Sequence, residues 1–131
     1  MKYIYPAVFT KEDEGGYSVD FPDLEGCYTC GEDLSEAIYM AEDVLALTLV
    51  HYEDEKREIP APSERENISL AENEFINYVG CDTTSYRRTM NSKAVKKTLS
   101  IPAWLNEAAT AAGVNFSQVL QDALKSKLDL V

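Results

Sequence analysis

The chain has 131 residues, 45% of them apolar, which allows one domain of ordinary size or a domain of about ninety residues with a small appendage. Its net charge of −11 is unevenly spread: residues 1–92 hold 7 Lys/Arg against 20 Asp/Glu, net −13, and residues 93–131 hold 5 against 3, net +2. This excludes a protein that binds a polyanion over its whole surface, yet a small basic end can still dock on phosphate and the acidic part suits a basic partner such as an RNA-binding protein.

The N-terminus has no charged start followed by an apolar stretch, and no apolar run approaches the ~18 residues of a membrane span, so a cytoplasmic protein without membrane contact is expected. Three cysteines, Cys27, Cys30 and Cys81, leave at least one unpaired, which suits a reducing compartment.

Tyr3 to Thr10 is rich in aromatic and β-branched residues and reads as a strand, with Pro6 placing an edge or a bulge there. The polar turn Lys11 to Gly16 leads into Tyr17, Val19 and Phe21, which alternate with Ser18 and Asp20 as a half-buried strand does, and Pro22 stops it. A turn over Asp23 to Gly26 precedes a short third strand, Cys27 to Gly31, completing a meander. Asp33 and Glu36 form the pattern of a helix capping box. Leu34, Ala37, Ile38, Ala41, Val44, Leu45, Thr48 and Tyr52 then hold one face over about five turns. Ile59 to Ser63, with two prolines, is an extended connector, and Phe75 to Cys81 a last strand. The order β-β-β-α-β predicts an α+β domain, a small antiparallel sheet with one packed helix, over residues 1–82; residues 83–92 read as a linker.

Tyr5-Pro6-Ala7-Val8-Phe9, the run Gly16 to Cys27, Gly31-Glu32-Asp33 and Glu36-Ala37 together resemble the HicB family of antitoxins over most of residues 3–63. The resemblance implies a truncated RNase H-like fold that binds and blocks a HicA-type toxin, a small mRNA interferase, and that binds its own operator. Members of the family often carry a ribbon-helix-helix or a helix-turn-helix segment at the C-terminal end.

Residues 93–131 begin with Lys93-Ala-Val-Lys-Lys-Thr-Leu-Ser-Ile-Pro102. Leu99 and Ile101 alternate with Thr98 and Ser100, and Lys93, Lys96 and Lys97 precede them. Pro102 suits a helix start, and Leu105, Ala108, Ala109 and Ala112 recur at helical spacing up to Gly113. Asn115 with Gln118 makes a second capping box before the stripe Val119, Leu120, Ala123, Leu124, Leu128. A strand and two short helices hold too little core to stand alone, so the segment is expected to form a homodimer or a higher oligomer. Leu99, Ile101, Leu105, Val119, Leu120 and Leu124 supply its core, and Trp104 packs in that core or at its rim. This stretch resembles the ribbon-helix-helix DNA-binding domains. Carried onto these residues, the resemblance makes Lys96, Thr98 and Ser100 readers of base edges in operator double-stranded DNA. It places a phosphate clamp around Asn115 to Ser117. Lys93 and Lys97 are read as further DNA contacts, although Lys97 falls by the alternation on the inward face with Leu99 and Ile101, where that family usually carries an apolar residue.

Three chemical readings compete with this one. Cys27, Cys30, Cys81 and His51 include zinc-ligand types, but residues three apart on a strand face opposite ways, so no metal site and no cofactor are expected. Asp20, Asp23 and Glu25 invite a metal-dependent RNase H-like nuclease with a DNA-binding tail, although carboxylates confined to one turn do not make a two-metal site, and no enzyme activity is expected. A repressor whose N-terminal part senses a small ligand is the third. In the preferred reading Asp20, Phe21, Asp23 and Glu25 contact the toxin, and Arg87 and Arg88, in a loop, could assist phosphate binding.

Overall fold

The computed structural model describes residues 1–130 and divides the chain into two compact units, Met1–Lys93 and Ala94–Val131. The first is α+β. Strands β1 (Lys2–Lys11), β2 (Tyr17–Asp20), β3 (Tyr28–Gly31) and β4 (Glu74–Asp82) form one antiparallel sheet in the order β3-β2-β1-β4. Helix α1 (Leu34–Asp54) covers one face of it.

The alternation of β1 decides which face. Tyr5, Ala7 and Phe9 point with Val19 and Val79 into a core closed by Ala37, Ala41, Leu45 and Leu49 of α1. Small Ala37 and Ala41 let the helix approach the sheet, and truncating fully buried Leu45 or Leu49 to alanine would cost about 2–5 kcal/mol. Phe9 and its register partner Phe75 stack at 5.3 Å between ring centroids, and Tyr17 meets Phe75 edge-on at 6.3 Å. The Asp33 side chain accepts the Glu36 N–H at 2.8 Å, which starts α1 where the sequence places it. The turn from β3 into α1 requires glycine: a Cβ on Gly31 would lie 2.4 Å from the Ala37 nitrogen.

Pro6 sits in an inner strand, but it does lie in an edge-like half of it. β2 pairs only with Val8 to Lys11, so residues 2–7 have β4 on one flank and no strand on the other.

The stretch 83–92, read as a linker, needs correction. Thr83–Met90 is helix α2, capped by Asp82, which accepts the Thr84 N–H at 3.0 Å. Its polar sequence hides the helix because α2 is held by hydrogen bonds to α1 rather than by an apolar stripe. Glu53 of α1 accepts from Tyr3 Oη at 2.8 Å, Thr83 Oγ1 at 2.9 Å and Arg87 Nη2 at 3.0 Å. Arg87 also pairs with Asp54 at 2.8 Å, so it is engaged within the chain and is not a loop arginine awaiting phosphate. Burial raises the Glu53 pKa, and the hydrogen bonds from Tyr3, Arg87 and Thr83 more than offset it, leaving the carboxyl below its usual value.

In the second unit, residues 94–102 form neither strand nor helix in the single chain, so the strand read from the alternation of Leu99 and Ile101 is not present there. Helix α3 (Ala103–Ala111) ends on Gly113 at φ +70°, where Gly113 N–H donates to Thr110 O and Val114 N–H to Ala109 O, both at 3.1 Å. Helix α4 (Phe116–Lys127) is capped by Asn115, whose side chain accepts the Gln118 N–H at 3.1 Å. The reciprocal half of the expected capping box is absent because the Gln118 amide turns to Asp122 at 2.9 Å.

Replacing Glu53 by alanine strips Tyr3, Thr83 and Arg87 of a shared acceptor and should cost roughly 2 kcal/mol while speeding amide exchange in α2. Because the folded-state pKa of Glu53 is depressed, its contribution is present above the unfolded carboxylate value and lost as pH falls through the folded one, so wild type and variant should converge in thermal melts at acid pH.

Candidate functional site

Two surfaces emerge from these elements. The first is the face of the sheet opposite α1. Register places Val8, Asp20, Tyr28 and Ile76 in one row across it and Thr10, Ser18, Cys30 and Glu74 in the next. Tyr28 is 69% exposed and Tyr78, opposite Pro6, 53% exposed, so the face presents aromatic rings to solvent with Asp20 among them. Part of it is covered by the connector that follows α1. Asp23 holds that connector, its carboxylate accepting the Ser63 N–H at 2.9 Å and the Ser63 hydroxyl, and Tyr5 Oη donates to the Pro60 carbonyl.

The four residues read as toxin contacts are therefore not equivalent. Asp20 and Glu25 are exposed. Phe21 is 1% exposed and belongs to the core, where its N–H donates to the Cys27 carbonyl at 3.0 Å, so it offers no side chain to a partner. The alternation Tyr17-Val19-Phe21 signals this, since it places Phe21 on the face of buried Val19. Asp23 is committed to Ser63, a partnership forty residues away that local sequence cannot reveal. Local sequence does not group Glu74 or Tyr28 with Asp20; only the strand pairing does.

Asp20 carries the clearest electrostatic signature on this face. Partial burial, and then the charge of Glu74, raise its pKa, so the ionised form is disfavoured. No ion pair relieves it among the described residues. Asp20, Asp23 and Glu25 do not converge, and no group of three or more His, Cys, Asp or Glu among the described residues is placed to hold a metal ion. Cys27 is buried, Cys30 lies on the exposed sheet face and Cys81 is half-buried, its thiol pushed up to about 11 by burial and by Asp82. His51 is an exposed residue of α1.

The second surface is the C-terminal unit. Lys93, Lys96, Lys97, Thr98 and Ser100 are all exposed, as are Asn115 and Ser117. So are most of its apolar residues: Leu99, Ile101, Leu105, Val119 and Leu124, with Trp104 at 70% and Leu120 half-buried. Neither α3 nor α4 contains a buried residue.

A sequence model described as HicB_like antitoxin of bacterial toxin-antitoxin system matches residues 5–123. The chain belongs to the HicB-like antitoxin family. It is 42% identical over 59 residues to Antitoxin HicB 2 of Photorhabdus laumondii and 39% identical over 59 residues to Antitoxin HicB of Escherichia coli K12. These alignments take in 45% of this chain and only 42% and 43% of those proteins, so the chain spans less than half the length of the curated relatives it matches. A chain of a toxin-antitoxin complex from Streptococcus pneumoniae superposes with a TM-score of 0.62 at 33% identity, covering 97% of this chain and 99% of that one. The crystal structure of antitoxin HicB3 gives a TM-score of 0.53 at 27% identity over 98% of this chain and 100% of that one. No helix of the HicB-like chain, among the described residues, is long and apolar enough to cross a membrane.

Asp20→Asn removes a carboxylate that the fold disfavours, so the variant should melt above wild type at neutral pH. The folded pKa of Asp20 is raised, so protonating it progressively removes this handicap as pH falls through the folded value. The gain should vanish in acid; a variant less stable than wild type at neutral pH would refute this placement.

Proposed function

We propose that this HicB-like chain neutralises a HicA-type mRNA interferase through its N-terminal unit and represses its own operon by binding operator DNA through its C-terminal unit. What supports the reading best is the division of the molecule within one family match. A self-sufficient, strongly acidic α+β unit is joined to a basic segment whose apolar residues stay uncovered in a single chain.

The N-terminal unit, which we read as a truncated RNase H-like fold, works by steric and electrostatic occlusion. A basic toxin that binds RNA presents cations, and an acidic surface with aromatic anchors covers them. Asp20 and Glu25 remain candidate contacts. Phe21 and Asp23 serve the fold.

We read the C-terminal unit as a ribbon-helix-helix domain made by two copies. Lys93–Pro102 would pair with its counterpart into a two-stranded ribbon, and Leu99, Ile101, Leu105, Val119, Leu120 and Leu124 would be buried beneath it. Alternate residues Lys96, Thr98 and Ser100 would then face a major groove, with Lys93 and Lys97 near phosphate. At the start of α4 the N–H groups of Phe116 and Ser117 lie outside the helix's own ladder, the arrangement that holds a phosphate.

Co-expression of the chain should restore growth to cells arrested by its HicA-type toxin; continued arrest with the chain well expressed would refute the antitoxin assignment. Lys96→Ala should weaken binding to the duplex upstream of the operon and flatten the slope of log affinity against log salt by about one unit; an unchanged slope would remove Lys96 from the interface.

A further inference from the structure

Two carboxylates, Asp20 and Glu74, lie on the exposed face of the sheet with no ion pair of their own among the described residues. Glu74 is held rigidly, its Oε1 accepting the Ala71 N–H at 2.8 Å and its Oε2 the Thr10 hydroxyl at 3.0 Å. Asp20 has neither an ion pair nor a side-chain hydrogen bond among the described residues, and it feels Glu74 as a like charge. The single strand cation on this face is Lys2, six residues along β1 from Val8 and thus about 20 Å away.

The surroundings turn this pair into a notch. Val8 and Thr10 form its floor, and Pro22, Ser63 and Ile68 form its wall where the connector crosses the sheet. Asp23 positions that wall through its two bonds to Ser63. On the other side of Asp20 a second hollow runs to Tyr28 and Cys30. A long cationic side chain entering the notch meets two acceptors whose mutual repulsion it cancels, and its apolar stem has the sheet floor and the exposed Tyr28 ring to pack on. A second copy of the same face would bring two more carboxylates against these two, so charge disfavours self-docking here.

We infer that the Asp20–Glu74 notch takes an arginine or lysine side chain from the basic toxin and that Tyr28 forms the aromatic anchor beside it. The inference rests on the antitoxin reading and assigns the toxin-binding surface to the sheet face away from α1.

Calorimetric titration of the full chain with its purified HicA-type toxin, at low and high salt, tests it. Asp20→Asn combined with Glu74→Gln should lower affinity at least about tenfold and flatten the salt dependence, Asp20→Lys should lower it further, and Tyr28→Ser should weaken binding with the salt dependence kept. Melting curves of the Asn/Gln variant at or above wild type establish that the fold is intact. Equal toxin affinity of wild type and the Asn/Gln variant would overturn the notch while leaving the antitoxin function standing. Failure of the wild-type chain to bind toxin would overturn both. A change in self-association of the full chain without a change in toxin affinity would give the notch to a second copy and overturn the inference as well.

Discussion

Everything in the N-terminal unit depends on one contact, the apolar face of α1 laid on Tyr5, Ala7, Phe9 and Val19 of the sheet. Small Ala37 and Ala41 on the sheet-facing side of the helix, and Gly31 at the turn that delivers the chain to it, let the helix sit close to the strands. That packing spends the apolar residues of one sheet face and leaves the opposite face to other uses. Exposed carboxylates lie there and on the outer surface of α1, Asp20 on the sheet and Glu36, Glu42 and Asp43 on the helix. The Glu53 cluster then ties Tyr3, Thr83 and Arg87 to α1, so the last element before the C-terminal unit is part of the folded body.

The C-terminal unit has the opposite economy. Its helices are well formed locally, with an Asn cap on α4 and a glycine terminator on α3, but no residue of either helix is buried. Helices of this length are marginal in water and gain most of their stability from packing an apolar face. Trp104, Leu105, Val119 and Leu124 are 41–70% exposed in the single chain. The covering we propose is a second copy, which would also give Lys93–Pro102 the strand partner its own chain lacks.

Where stability is local and periodic, the sequence reveals it. The 21-residue α1 announces itself through its cap at Asp33 and its stripe, and the alternation in β1 and β2 identifies the buried face. What stays hidden is held by long-range polar bonds. Helix α2 has no apolar stripe and depends on Glu53, some thirty residues away, which is why 83–92 reads as a linker. Asp23 reads as a surface carboxylate until Ser63 folds back on it, and Glu74 joins Asp20 only through the pairing of β4 with β1. Phe21 is a different case. Its own alternation with Val19 argues for burial, and grouping it with the neighbouring acidic residues by proximity in the chain is what misplaces it among the contacts.

The dependence of the C-terminal unit on association is tested most directly by thermal unfolding of the full chain, followed by circular dichroism across a wide range of protein concentration. Two transitions are expected: one from the α1–sheet core that does not move with concentration, and one from α3 and α4 whose midpoint falls on dilution. A single transition independent of concentration, or helical signal from α3 and α4 that persists at concentrations where the protein sediments as a monomer, would contradict it.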